Sequence, residues 1–312
     1  MLTIVFVLPL CLFSQEKPPV HVETVSDLNS AEVSMAYRFM VADFLKSGGE
    51  GRTFLVKTDD KDVAGYYFAV DKLPSSFNIK GVSLFTRDPK VLQGLKNAQK
   101  GGVPLFLESI DHDVDAQVFG DDELGRSLRL AAFPSSKANL LLSVSPTATE
   151  DVLIHEMAHI KHKSTSHAFS IFLNSHKETL SEAQLGIIRR ALTELGAYQE
   201  QYETLETMKK QGRVNMLTVI KDSSGHHVEL ASFNDIYKKR MKEIRANSGM
   251  FIGLIASKLR KLPSPVQCAV IDQARNFIKG MGAIESDLVG EFPIQRCPTA
   301  LPTNKKDKPG VR

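Results

Sequence analysis

The chain has 312 residues, 42% of them hydrophobic and 24% charged, enough apolar material for a sizeable core and none of the bias that marks a disordered polypeptide. The formal charge of +3 comes from 39 basic and 36 acidic side chains scattered along the chain, which excludes the clustered basic excess of a nucleic-acid binder. Length alone admits one large domain or two modules, and the patterning favours two.

The opening "MLTIVFVLPLCLFSQ" carries no charged side chain before Glu16, and Leu2 to Phe13 form one apolar run of signal-peptide length, too short to cross a bilayer. The expectation is a signal peptide over 1–15 and a periplasmic or secreted protein. No basic residue precedes the run and no A-x-A site ends it, so a start further upstream, or a first strand, is the alternative. Leu10 before Cys11 is larger than the small residue of a lipidation site. Cleavage leaves Cys268 and Cys297, an even number in an oxidising compartment. A bridge between them would close a loop of about 30 residues and contribute about 3 kcal/mol; two buried thiols are the alternative.

Residues 20–136 read as a mixed α/β region of unassigned role. "AEVSMAYRFMVADFL" has helical spacing at Val33, Tyr37, Phe39, Met40 and Phe44, while "FNIKGVSLF" and "VPLFLESI" read as short strands. "DHDVD", from Asp111 to Asp115, lacks the spacing of a calcium loop and reads as a solvated turn. "SLRLAAF" and "NLLLSVS" read as two strands around the turn "PSSKA".

Residues 137–212 follow as the candidate core. Thr147 and Glu150 fit a capping box before the periodic run "DVLIHEMAHIKHK". A second helix starts at "SEAQ" and continues to "TMKKQG", about 30 residues or about 45 Å. Over 213–303, "VNMLTVIKDSSGHHVELASF" reads as two strands, and "NDIYKKRMKEIRAN", "SGMFIGLIASKLRKL" and "PVQCAVIDQARNFIKG" read as three helices. The end, 304–312, is a basic solvated tail.

The stretch "HEMAHIKH" carries the chemistry. His155 and His159 are four residues apart, so on a helix their rings project from one face and converge on one ion. Glu156 lies beside them, placed to take a proton from a metal-bound water. A zinc site of this kind needs a third protein ligand. His162 lies about 10 Å along the axis from His155, too far to share the ion on an unbroken helix. Glu194 is the better candidate: in "ALTELGAYQEQY" it falls on the apolar stripe of Ile187, Ala191, Tyr198 and Leu205, where a carboxylate needs a partner. The alternative for Glu194 is an ion pair with Arg190. Ala197, one turn later, would let two helices approach closely.

"HEMAHIKH" followed by "ELGAY" resembles the gluzincin metallopeptidases, in which two His of HExxH and a Glu from a following helix hold zinc; the likeness covers Asn139 to about Gly212, roughly a quarter of the chain. It implies an α+β fold, a zincin-like catalytic domain with a small sheet on an active-site helix, a helical C-terminal part and the mixed α/β region in front. The "HEMAHIKHK" run is also similar to active-site helices of bacterial membrane-associated metallopeptidases, which implies membrane proximity. Several gluzincins carry an Asp four residues after the ligand Glu that orients one zinc-bound His; Tyr198 stands there in this sequence.

The expected function is therefore that of an exported zinc-dependent endopeptidase acting on proteins or peptides, with one zinc on His155, His159 and Glu194 and with Glu156 as general base. Tyr198, Tyr202, His226 and His227 are the candidates for an oxyanion donor, Tyr198 foremost. "NLLLSVS" is in position to be the edge strand to which a peptide adds. A zincin-like fold without activity that serves binding is the alternative, as is a structural protein with a chance motif.

Overall fold

A computed structural model describes residues 20–25, 35–58, 63–74, 89–109, 116–119, 123–138, 140–145, 148–161, 174, 180–222, 225–260, 262 and 264–292. The signal-length run, "FNIKGVSLF", the turn "DHDVD", His162, Cys297 and the basic tail lie outside them, as do all but Asn174 of residues 165–178. The fold is α+β: a sheet covered on both faces, joined to a helical layer.

Six strands, β1 (Val20–Val25), β2 (Glu50–Thr58), β3 (Val63–Lys72), β4 (Leu105–Glu108), β5 (Ala116–Phe119) and β6 (Leu141–Val144), form one sheet in the order β1-β2-β3-β4-β6-β5. Only the β4–β6 pair is parallel, with Leu105 opposite Leu142 and Leu107 opposite Val144; β5 runs antiparallel along β6 as the outermost strand. Alternation sorts the side chains. Tyr66, Phe68, Val70, Leu105, Leu107, Leu142 and Val144 face α1 (Met35–Lys46), α2 (Pro89–Lys100) and α4 (Glu150–Lys161). Phe54, Val56, Tyr67, Ala69, Phe106 and Leu141 face α3 (Glu123–Ala132) on the other side. With both faces covered, β4 and β6 are buried at every position rather than at alternate ones.

Two strand expectations need correction. "SLRLAAF" is not a strand but the end of α3. Leu128 is fully buried while Leu130 is half exposed. A strand would point both the same way, whereas helical spacing puts Leu124, Leu128 and Ala132 on the core side. Over so short a stretch L-x-L satisfies either period. "NLLLSVS" does form a strand, β6, but an interior one: β5 pairs along its outer side and takes the edge.

The helical layer consists of α5 (Glu182–Lys210), α6 (Phe233–Leu259), α7 (Ser264–Ile278) and α8 (Ala283–Glu291), packed around Leu185, Ile188, Leu195, Ile244, Ile252, Val270 and Leu288. The start of α5 is as expected: Ser181 and Gln184 bond reciprocally in a capping box, and Gly212 after its end has φ 69°. The hairpin β7 (Asn215–Asp222) and β8 (Gly225–Ser232) is also present. "NDIYKKRMKEIRAN" and "SGMFIGLIASKLRKL", read as two helices, are one 27-residue helix, α6. Gly249 inside it is tolerated at about 1 kcal/mol because tertiary packing on α5 outweighs it. Cys268 on α7 is disulfide-bonded. Among the described residues no helix is long and apolar enough to cross a membrane.

α4 joins the two layers. Leu153 packs on the sheet, while Ala158 and the buried Gly196 and Ala197 of α5 leave room for close helix contact. On its other flank a Cβ at Gly94 of α2 would come within 2.6 Å of Met157 Sδ, which would have to shift to admit it.

Candidate metal centre

α4 begins at Glu150, and Thr147 of the expected capping box lies outside the described residues. The Glu150 carboxylate accepts two bonds from Arg213 Nη2, at 3.1 and 3.0 Å. Beside it Asp151, with a fully buried side chain, accepts from Thr149 Oγ1 at 2.8 Å, Gln201 Nε2 at 2.8 Å and Arg240 Nε at 3.1 Å. Two acids in the first turn suit the positive end of the helix dipole, and here each is also matched by a cation.

One turn on, the environment changes. His155 and His159 lie edge to face with ring centroids 5.1 Å apart, and His155, Glu156 and His159 offer ligand atoms within 4.8 Å of one another, an arrangement that can hold a metal ion. Glu194 comes from α5 as its stripe predicts. One oxygen, Oε2, lies 3.5 Å from His155 Nε2 and 3.8 Å from His159 Nε2. The first separation is close to the edge of a tetrahedron, about 3.3–3.6 Å, whose corners lie about 2.0–2.2 Å from a central ion, and the second is longer. His155 Nδ1 is buried with no hydrogen-bond partner among the described residues.

Two carboxylates thus adjoin the histidines, and they are held differently. Glu156 Oε2 accepts from Val118 N–H of β5 at 2.9 Å. Burial, helped by Glu194, pushes its pKa up to about 7 against the pull of His155 and of that amide. Glu194 is also pushed up by burial, but the two imidazoles and the Arg190 guanidinium outweigh this and hold it below the usual carboxylate range. One oxygen of Glu194 faces both Nε2 atoms, while Glu156, whose carboxylate falls within the cluster formed with the two histidines, is tied to the strand. Arg190 contributes to the field at Glu194, but the closest groups are the histidines.

Tyr198 stands against the site. Its ring meets His155 at 4.5 Å and 63°, and its hydroxyl accepts from Asn247 Nδ2 at 2.9 Å. Burial, then the charge of Glu194, raises its pKa. Tyr202, a turn later, has Glu206 as its charged neighbour and packs with the helical layer. His226 and His227 sit on the separate β7–β8 hairpin, and their side chains, like the whole of His162, lie outside the described residues. A groove of about 370 Å³ between α2, α4 and α5, lined by Gly94, Met157, Lys161 and Glu200, contains none of the site residues.

Sequence reasoning missed Asp151, Arg240, Gln201, Asn247 and the Val118 amide. Arg240 had a visible signal: a cation in the stripe Ile236, Arg240, Ile244, the same anomaly that marks Glu194. Comparison with protein families, curated proteins and solved structures finds no significant match to this chain.

Proposed function

We propose that the protein is a zinc-dependent endopeptidase of the gluzincin type, with a zincin-like catalytic unit in which His155, His159 and Glu194 hold one zinc ion. What carries this reading is the placement of one Glu194 oxygen 3.5 and 3.8 Å from the two imidazole nitrogens of an H-E-x-x-H helix. Two imidazoles with one carboxylate oxygen facing both are a donor set that zinc takes. Zinc supplies a Lewis acid that lowers the pKa of a coordinated water to about 7 and polarises a peptide carbonyl.

The chain's own residues do the rest. Glu156 takes the proton from the attacking water and returns it to the leaving amine, a role suited by a pKa raised to about 7. Tyr198, a neutral phenol beside the site, donates to the developing oxyanion. The substrate is a peptide or protein. Export to the periplasm or medium, near a membrane, fits the apolar start of the chain. A metal-binding protein without hydrolytic activity is the second reading, favoured by the engagement of Glu156 with the Val118 amide.

Zinc content of the purified chain beside Glu194→Ala and His159→Ala tests the centre. One zinc per native chain, absent from both variants, is expected; no zinc in the native protein after reconstitution would sink the proposal. Peptide cleavage lost in Glu156→Gln with zinc retained separates the enzyme from the binding protein.

A further inference from the structure

His155 is backed by a ring rather than by a hydrogen bond. Nδ1 is buried with no hydrogen-bond partner among the described residues, so on that side packing, rather than a polar contact, restrains rotation about the Cβ–Cγ bond, a broad torsion. The packing comes from Tyr198, whose ring is 4.5 Å away. Whatever fixes Tyr198 therefore fixes the direction of His155 Nε2.

Tyr198 is itself held from α6. Asn247 Nδ2 donates to its hydroxyl at 2.9 Å, and Phe251 lies along its ring at 6.3 Å and 34°. Asn247 is seven residues beyond Arg240, so both occupy nearly the same face of α6 two turns apart. Arg240 Nε bonds Asp151 in the first turn of α4 at 3.1 Å. One face of α6 thus reaches the histidine-bearing helix twice, directly at Asp151 and through Tyr198 at His155.

We propose that Asn247 is a positioning residue for the metal centre: its hydrogen bond holds the Tyr198 ring against His155 and so sets the direction of Nε2. This rests on the metal-centre reading above. A residue acting this way changes the geometry and lifetime of the bound ion, whereas one that only stabilises the fold changes neither.

The test loads the full chain with cobalt(II) and records its visible d–d spectrum and the rate of cobalt loss to excess chelator, alongside far-ultraviolet circular dichroism. Native protein should bind one ion and Glu194→Ala none. Asn247→Ala should bind cobalt with an altered spectrum and lose it about tenfold faster, the lower end of the usual effect of removing a group that orients a ligand. Asn247→Asp should restore the native spectrum and rate, because the phenol can donate to the carboxylate and keep its place. Tyr198→Phe, which keeps the ring but loses the hydroxyl, should behave like Asn247→Ala and decides the matter if the alanine variant does not fold. Native spectra and rates in Asn247→Ala or Tyr198→Phe would overturn the inference while the metal centre stands. A folded native chain that binds no cobalt would remove the metal centre and this inference with it.

Discussion

The two halves of α4 treat buried polar groups in opposite ways. In its first turn Glu150 and Asp151 are saturated, with Arg213, Arg240, Gln201 and Thr149 supplying their donors. One turn later His155 Nδ1 has no hydrogen-bond partner among the described residues, and one Glu194 oxygen lies 3.5 and 3.8 Å from the two imidazoles. The first half is braced by matched charges, while the second carries the imidazoles and the carboxylate of the candidate metal centre.

The comparison can be broken most sharply at the histidine-bearing end. Glu156→Gln should lower peptide hydrolysis by about 10³-fold, the range of general base catalysis, with zinc retained; residual activity within tenfold of native would remove Glu156 from the chemistry. At the braced end Arg240→Ala should leave Asp151 buried and uncompensated, at a cost of about 4 kcal/mol in urea or thermal unfolding, with no loss of metal stoichiometry in the folded fraction. A small change there would mean that the two halves do not differ as described.

Away from both ends, Glu108 supplies a control of a different kind. Its side chain is wholly buried in the sheet, with Ser143 Oγ donating to one oxygen at 2.7 Å and the other unpartnered. Burial raises its pKa to about 7, against the pull of Ser143. The native state therefore keeps a proton that the unfolded chain has released, so stability should fall as pH rises from about 4.5 through about 7, by roughly 3 kcal/mol in all. Glu108→Gln should flatten that part of the profile; an unchanged slope would assign it to other groups.

Zinc at a hundredfold excess over its dissociation constant should stabilise the native protein by about 2.7 kcal/mol, and Glu194→Ala should abolish the effect. The smallest change is expected at the exposed Lys57–Glu23 pair on β2 and β1, where Lys57→Ala should alter stability by less than about 1 kcal/mol. A larger effect there would show that the contrast between buried and exposed charge has been drawn too strongly.

Much of the site was legible because it consists of local spacing. His155, Glu156 and His159 are fixed by helical periodicity, and Glu194 betrays itself as a charge in an apolar stripe. The capping box at Ser181, the hairpin after Gly212 and α1 were likewise local patterns. What could not be read depended on partners distant in sequence. Whether Leu128 and Leu130 share a face is decided by what covers them, and the edge position of β5 rather than β6 is decided by strand order. The Asn247–Tyr198 bond joins residues 49 apart and leaves no periodic trace. α6 runs on through Gly249 because packing outweighs a local preference worth about 1 kcal/mol.

The hydrogen bond from Val118 to Glu156 has a consequence for solubility as well. β5 is the last strand of its sheet, and an exposed edge amide is a template on which other chains can stack. By occupying that amide, the glutamate acts as a gatekeeper of the edge. Glu156→Ala, which leaves the amide without an acceptor, should therefore self-associate more readily than Glu156→Gln, whose side-chain carbonyl can still accept, and light scattering of the two variants at equal concentration would show it.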